Sequence, residues 1–581
     1  MIILILTWVV FILGAGIVSL LSYSTAKALA DQVSMAGSAN RFPLEFFQKI
    51  QSQARGIVFL LAPIGVGLFI FRKRIEQFLS EKIPSLKSLR FLVDVSSLSR
   101  RELAGLLALI GIGFSLRLVN MRGIVTYDEA FTYFQYAQNP LTAVTVYTHV
   151  NNHIFHTLLL SLITSVFGDS YWVLRSIALV CGTLLIPLVF LAIRSDQFNI
   201  SHLNGWLAAV VISLNPLIVK YSALARGYTL QVLIGVLMWI LFGHILRGRR
   251  DLVLILGFLS TLALWTIPTS TYFVTGLGFA FLGNVFIRRI KISDFFFFLV
   301  ITGTVTAVLY MPAVIVSGLK AVLMNPDSNP VAAGVAVDPF LERFKYIWDP
   351  LSLSVGRSGG FGLVFLLTLW GLYAAPIAWR SLGIGLCLSI FILTTFFRVT
   401  PPTRTWIFIV PLLAVLVDFG VCKMVNPSKW LYNKMIFLTI FLSMAYTVIV
   451  LPNTLKSNGP GHREVTTFAR QVANQWREGT VIRIEAHKNS WLQSNLSLFY
   501  TYYDWYNVYT TRFYLQRQGI SKSSFRWREK KSSHNIWLVL VQVDGQSIDL
   551  QGPEGKKISW DLIIGPYSLA QKVPKGQLSD S

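Results

Sequence analysis

Phe155-His156-Thr157-Leu158-Leu159-Leu160-Ser161-Leu162-Ile163-Thr164-Ser165-Val166-Phe167 is apolar, yet only about 13 residues long. A helix rises 1.5 Å per residue and needs about 20 residues to cross a hydrocarbon core of roughly 30 Å. Runs of about 10–14 suit a surface or re-entrant helix. The reading of this stretch sets the side of everything after it. If it crosses, Arg247-Gly248-Arg249-Arg250 falls outside. If it lies flat, that run falls inside together with Arg72-Lys73-Arg74 and Arg288-Arg289-Ile290-Lys291. Short loops on the cytoplasmic side keep Lys and Arg, so the stretch is expected as a helix laid on the outer membrane surface.

Around it, thirteen longer apolar segments read as spans: 2–24, 56–71, 103–119, 172–193, 204–219, 228–246, 251–267, 271–287, 294–316, 361–378, 381–397, 405–422 and 435–452. The first lacks a basic leader and has too long an apolar stretch for a signal peptide, so it is read as a span. Alternation from the basic loop 72–102 puts the N-terminus inside. It puts 120–171, 220–227, 317–360 and 398–404 outside, with the region after the last span.

Composition agrees. The chain has 581 residues, 54% hydrophobic and 13% charged, with Lys+Arg 51 against Asp+Glu 27 and a net charge of +24. Soluble proteins carry about 25% charged residues. Three cysteines, Cys181, Cys387 and Cys422, make no disulfide framework. A soluble enzyme, a disordered tail and a stapled secreted domain are excluded. The cations flank apolar segments rather than forming a nucleic-acid surface. They imply contact with anionic lipid head groups and no nucleic-acid partner.

From about Leu455 the composition turns polar and rich in Tyr and Trp. Glu464 to Trp476 reads as an amphipathic helix, and Thr480 to Ile484 and Ile536 to Val543 as strands. The expected fold is an α-helical polytopic membrane protein of about 13 transmembrane helices with a small C-terminal α/β soluble domain. Its parts are 1–100 (two extra spans and a basic loop), 101–454 (the main membrane domain, with outer loop 120–171) and 455–581 (an outer α/β domain).

Ionisable groups at the outer ends of spans are costly and point to function. Asp128 and Glu129 follow a span. Adjacent carboxylates activate a hydroxyl or hold a divalent metal, and either one also suits the start of a short helix over Glu129–Gln138. Asn151-Asn152-His153 and His156 follow in the same loop, and His153 and His156 share a helix face. His153 and Asp128 are the metal-ligand candidates; interfacial hydrogen bonding is the alternative for both histidines.

Lys220-Tyr221-Ser222-Ala223-Leu224-Ala225-Arg226-Gly227-Tyr228 puts two cations in an outer turn, against the usual charge bias. Arginine forks onto phosphate oxygens; snorkelling to the interface is the plainer account. Arg398-Val399-Thr400-Pro401-Pro402-Thr403-Arg404-Thr405-Trp406 is a second such turn, with Arg404 a second phosphate candidate and Trp406 an interfacial-belt residue. Loop 317–360, with Asp338, Glu342, Arg343 and Lys345, has the length of a lid.

The Asp-Glu after a span, the Asn-Asn-His loop and the surface helix are followed by Gly168-Asp169-Ser170-Tyr171-Trp172-Val173-Leu174-Arg175-Ser176. Then come Asn215-Pro216, Tyr221-Ser222 and Ala225-Arg226-Gly227-Tyr228. Over about 100–420 this order resembles the GT-C glycosyltransferases that use polyprenyl-phosphate sugars. Bacterial enzymes like protein O-mannosyltransferases, including the aminoarabinose transferase of lipid A, are the nearest in pattern. The resemblance implies an inverting transfer from a polyprenyl-phosphate sugar to a hydroxyl or phosphate of an envelope lipid, glycan or protein. It places this at the outer face of a bacterial inner membrane.

It implies Asp128, with Glu129 beside it, as general base or metal ligand. Arg226, Arg404, Lys220 and Tyr228 would hold the donor phosphate, and Asn152, His153 and Tyr221 would touch sugar or acceptor. It admits both metal-assisted and metal-independent transfer, so a divalent metal is an optional cofactor. The sequence departs at Leu224, where many relatives carry a carboxylate, so that turn lacks a second acidic ligand. Two rivals remain. A transporter or flippase of a lipid-linked or anionic solute predicts related halves and broken helices, neither visible in the sequence. A non-catalytic assembly subunit predicts indifference to loss of Asp128.

Overall fold

The computed structural model describes residues 13, 16–33, 44–70, 98–123, 125–194, 205–323, 360–397, 403–425, 481–486, 513–514, 516–518, 535–540 and 563–564. The expected span 435–452 and the helix 464–476 lie outside these residues, as do nearly all of loop 317–360 and Arg398. The chain divides into two compact units. One comprises Met1–Ala26, Phe42–Met121 and Asn139–Leu451; the other comprises Lys27–Arg41, Arg122–Gln138 and Pro452–Ser581.

The first unit is helical. Arg100–Asn120, Tyr171–Arg194, Tyr228–Ile245, Ile292–Ser317, Ile377–Thr395 and Arg404–Met424 are each long and apolar enough to cross a membrane. Leu44–Ile70, Val253–Thr266, Thr271–Phe286 and Gly360–Ala374 form helices at other expected spans. The helix starting at Arg100 opens on a capping box: the Glu102 carboxylate accepts from the Ser99 backbone N–H at 2.9 Å, and the Ser99 hydroxyl accepts from the Glu102 N–H.

Small residues bring helices together, as membrane packing requires where no hydrophobic force joins them. A Cβ on Gly385 would lie 2.2 Å from the Gly276 carbonyl oxygen, and one on Gly371 would lie 1.8 Å from that of Leu416. Gly276 and Gly420 are similarly pressed, against Leu386 Cα at 2.8 Å and the Leu367 carbonyl oxygen at 2.8 Å. Thr271–Phe286 therefore packs on Ile377–Phe397, and Gly360–Ala374 on Ile409–Val425, backbone against backbone.

The stretch expected as one span over 204–219 is two helices, Trp206–Leu214 and Pro216–Tyr221. Pro216 has no N–H to continue the ladder. Asn215 ends one helix and caps the next, its Oδ1 accepting from the Leu217 and Ile218 N–H groups at 3.0 and 3.1 Å. Carbonyls freed at the break are taken by Arg117. Its Nη2 donates to Ile212 O at 3.0 Å, and its Nη1 to Ser213 O at 3.1 Å and Gly113 O at 2.8 Å. Arg117 is fully buried. The other end of Trp206–Leu214 is held by the buried Asp418 carboxylate, which accepts from Gly205 and Ala208 N–H groups. A broken helix is thus present that hydropathy alone read straight through.

Ile154–Phe167 is a 14-residue helix, matching the short apolar segment 155–167. At 1.5 Å per residue it reaches only about 21 Å. Trp406, expected in an interfacial belt, is instead 1% exposed and packs its ring 5.0 Å from Tyr272.

In the second unit, Tyr127–Thr132 is a short α-helix followed by a π turn, Tyr133–Ala137, where one helix was expected over 129–138. The Val125 N–H donates to the Tyr514 hydroxyl at 3.0 Å, and Phe513 packs against Tyr133 and Phe134. Three parallel strands, Val481–Ala486, Asn535–Leu540 and Ile563–Ile564, pair in that order, with Val481 opposite Asn535 and Val539 opposite Ile563. The first two overlap the strands expected over 480–484 and 536–543.

Candidate functional site

In the helical unit, His153 sits at the start of Ile154–Phe167 and meets the turn that carries Arg226. Asn152 shapes that loop: its amide nitrogen donates to Ala143 O at 2.9 Å and Val146 O at 2.7 Å, closing the chain behind helix Pro140–Thr145. The Gly227 N–H donates to His153 Nδ1 at 2.9 Å. Nδ1 is therefore the acceptor, and a neutral ring carries its proton on Nε2. Nε2 stands 3.5 Å from Arg226 Nη2, and Nη2 donates to Asn151 Oδ1 at 3.0 Å.

Aromatic rings complete the arrangement. His153 and Tyr228 meet edge to face at 5.0 Å, Tyr221 and Tyr228 at 4.9 Å, and the Arg226 guanidinium lies 5.8 Å from the Tyr228 ring. A Cβ at Gly227 would press within 3.0 Å of both His153 Nδ1 and Thr266. A side chain there would push the imidazole and Thr266 back by a few tenths of an ångström.

Electrostatics follow from burial. Desolvation, then the charges of Arg226, His156 and Arg404, hold the His153 imidazole well below its ordinary range. Burial, then Arg226, lowers His156 to about 3. Both rings are neutral at physiological pH. Arg404, on the turn Thr403–Phe408, thus acts on the same histidine as Arg226 although 178 residues separate them in sequence.

The structure brings together Arg226, His153, Tyr228 and Tyr221 from the expected set. It adds Asn151, the neighbour of the expected Asn152, as the acceptor for Arg226. Lys220 lies half-buried in the last turn of Pro216–Tyr221; among the described residues no hydrogen bond or ion pair joins it to the cluster. Arg117 and Arg175 were missed. Both are buried, and Arg175 donates to Met121 O at 2.7 Å. The available signal was an arginine inside an apolar run.

Asp128 and Glu129 belong to the other unit. Glu129 is 1% exposed, and its Oε2 accepts from the Thr126 N–H at 2.8 Å and hydroxyl at 3.0 Å, the reciprocal arm of a capping box. Asp128, one residue earlier, is half-buried.

A metal does not fit at His153. One ring nitrogen already accepts a backbone N–H, and a cation at the other would face a guanidinium. Among the described residues no group of three or more His, Cys, Asp or Glu side chains is placed to hold a metal ion.

No protein-family model matches the chain, and no curated protein matches it. Among solved structures it is similar to ArnT from Cupriavidus metallidurans bound to undecaprenyl phosphate. The identity is 12% over 76% of this chain and 86% of that one, with a TM-score of 0.48. It is also similar to the archaeal oligosaccharyltransferase AglB from Archaeoglobus fulgidus in complex with an inhibitory peptide and a dolichol-phosphate. There the identity is 13% over 76% of this chain and 63% of that one, TM-score 0.43. The arabinosyltransferase EmbB from Mycobacterium smegmatis aligns at 14% identity over 63% of this chain and 34% of that one, TM-score 0.35.

Proposed function

We propose that this chain is a membrane glycosyltransferase. It moves a sugar from a polyprenyl-phosphate donor to a hydroxyl or phosphate of an envelope acceptor, at the outer face of a bacterial inner membrane. The observation that carries this is Arg226 Nη2 set 3.5 Å from Nε2 of a buried, neutral His153 whose Nδ1 is already taken by the Gly227 N–H, with the charge of Arg404 also felt at that ring. Nε2–H of His153 and Nη2 of Arg226 are both donors, and an anionic oxygen accepts from both. The sequence resemblance supplies the kind of anion, a lipid-linked phosphate.

In the mechanism we infer, the acceptor oxygen attacks the anomeric carbon while the bond from that carbon to the phosphate oxygen breaks. The bonding electrons leave with the polyprenyl phosphate, whose charge Arg226 and Arg404 neutralise. Guanidiniums in a desolvated site stabilise this charge far more than water does. The sequence resemblance, rather than any geometry, supplies Asp128 as the base that takes the acceptor proton. Glu129 keeps the helix start in order through its cap. Tyr228 and Tyr221 buttress Arg226 and His153. No step is routed through a metal. The transport alternative gains the broken helix at Asn215-Pro216, but Arg117 takes the carbonyls of Ile212 and Ser213 that an ion would use.

The test uses the whole protein in lipid nanodiscs with undecaprenyl-phosphate monosaccharides and an envelope lipid extract as acceptor source. Asp128→Asn is expected to abolish release of undecaprenyl phosphate while donor still binds. Arg226→Gln is expected to weaken binding of undecaprenyl phosphate itself by tenfold or more. Unaltered release in Asp128→Asn, or unaltered binding in Arg226→Gln, overturns the reading.

A further inference from the structure

Helix Ile154–Phe167 treats its hydroxyl groups in two ways. Toward its C-terminal end, Thr164 Oγ1 donates to Leu160 O and Ser165 Oγ to Leu162 O, each at 2.8 Å. This is the usual fate of Ser and Thr in a helix, where the carbonyl three or four residues back is always at hand. Thr157 and Ser161 do not do this. Both are buried, and among the described residues neither hydroxyl has a hydrogen-bond partner. The same holds for both ring nitrogens of His156, which is 1% exposed, and for Oδ1 of Asn152.

These residues form one stripe. His153, Thr157 and Ser161 are four apart and lie one above the other on the helix, with His156 alongside. The stripe begins at the ring that touches Arg226. It runs from a positively charged end to a neutral end of hydroxyls and an uncharged imidazole. Each buried polar atom left without a partner carries an uncompensated desolvation cost. A stripe of them persists when something polar takes them up. Its occupant is anionic at one end and rich in uncharged donors and acceptors along its length, which describes a sugar joined to a phosphate.

We propose that His156, Thr157 and Ser161 are the sugar-recognising face of the donor site, hydrogen-bonding ring hydroxyls of the sugar whose phosphate lies at Arg226. The proposal rests on the phosphate role given to Arg226 above and extends it to the choice of sugar. A neutral imidazole offers one donor and one acceptor, and each hydroxyl offers both, so the face matches adjacent sugar hydroxyls. A site built this way rejects an analogue that lacks the hydroxyl, because its own buried groups are then stranded.

The experiment measures binding to the full chain in nanodiscs of undecaprenyl phosphate, bare and carrying each of a panel of hexoses and pentoses. The variants are Thr157→Val with Ser161→Ala, and separately Arg226→Gln, with thermal unfolding as the check on folding. Wild type is expected to bind at least one sugar-bearing lipid more tightly than the bare phosphate. The hydroxyl-less variant should lose about tenfold of that margin for each hydrogen bond removed, and bind the bare lipid phosphate as before. Arg226→Gln should weaken both lipids alike.

A margin unchanged in the hydroxyl-less variant overturns the proposal and leaves ordered water as the occupant. So does a panel in which no sugar binds more tightly than bare phosphate. Equal weakening of bare and sugar-bearing lipid by the hydroxyl changes overturns it too. Indifference of both lipids to Arg226→Gln is a separate failure, that of the phosphate reading.

Discussion

Two buried polar regions of the helical unit invite comparison. At the broken helix, Asn215 caps the new start, and Arg117 gathers the carbonyls of Gly113, Ile212 and Ser213. Along Ile154–Phe167, equally buried groups of His156, Thr157 and Ser161 meet no partner among the described residues. Burial is the same and chemistry is comparable; what differs is how far the fold satisfies the groups, since Arg117 keeps both terminal nitrogens bonded with Nε left over, whereas the stripe leaves whole side chains over. A satisfied buried network holds a shape. An unsatisfied one keeps hydrogen-bonding capacity unused, at a cost to stability.

The comparison breaks most visibly at Arg117. Arg117→Met removes the donors to three carbonyls and is expected to cost about 3 kcal/mol or more. The readout is loss of the folded, monodisperse fraction in detergent or a large fall in unfolding temperature. An unfolding temperature like that of the wild type would show that the break needs no arginine.

Acid sharpens the contrast from the ligand side. The folded-state imidazoles of His153 and His156 are held below their unfolded value. Above the unfolded value, near pH 6.5, both states are neutral and no effect arises. Below it, the unfolded chain takes up protons that the folded chain refuses, so stability falls as pH falls, by up to about 1.4 kcal/mol per pH unit per histidine. Thermal unfolding between pH 7 and 5 should show this, and His156→Gln should reduce the slope. A slope equal to wild type would mean that His156 is not buried neutral.

Asn215→Ala removes a cap and should cost about 1 kcal/mol, seen as a small drop in unfolding temperature. The smallest effect is expected at the stripe. Thr157→Val removes a hydroxyl that has no partner and should leave stability level or raise it by about 1 kcal/mol. A clear loss of stability there would mean that the hydroxyl is structural, and the contrast between the two regions would dissolve.

Much of the site was legible because it lies in short polar motifs between apolar runs. Asn151-Asn152-His153 and Ala225-Arg226-Gly227-Tyr228 stand out from their surroundings, and the fold joins them through one backbone N–H. What escaped notice lay inside apolar runs. Arg117 is one cation among leucines, and a hydropathy window averages it away. Thr157 and Ser161 are small hydroxyls within FHTLLLSLITSVF, where composition cannot say which helix face is buried. Asn215-Pro216 was visible, but proline counts little against apolarity, and the break comes from its missing N–H rather than its polarity. Glu129 carried both meanings from the outset, and its geometry is that of a cap.

The glycine seams set a mechanical limit. Where Gly276 meets Gly385 and Gly371 meets Gly420, main chains touch with no side chain between them to slide, rotate or compress. Each helix pair behaves as a welded plank. A greasy tail seeking a way between helices finds no gap at these seams, and a wider residue at any of the four positions prises the plank apart instead of loosening it. Whatever yields during turnover yields along some other line.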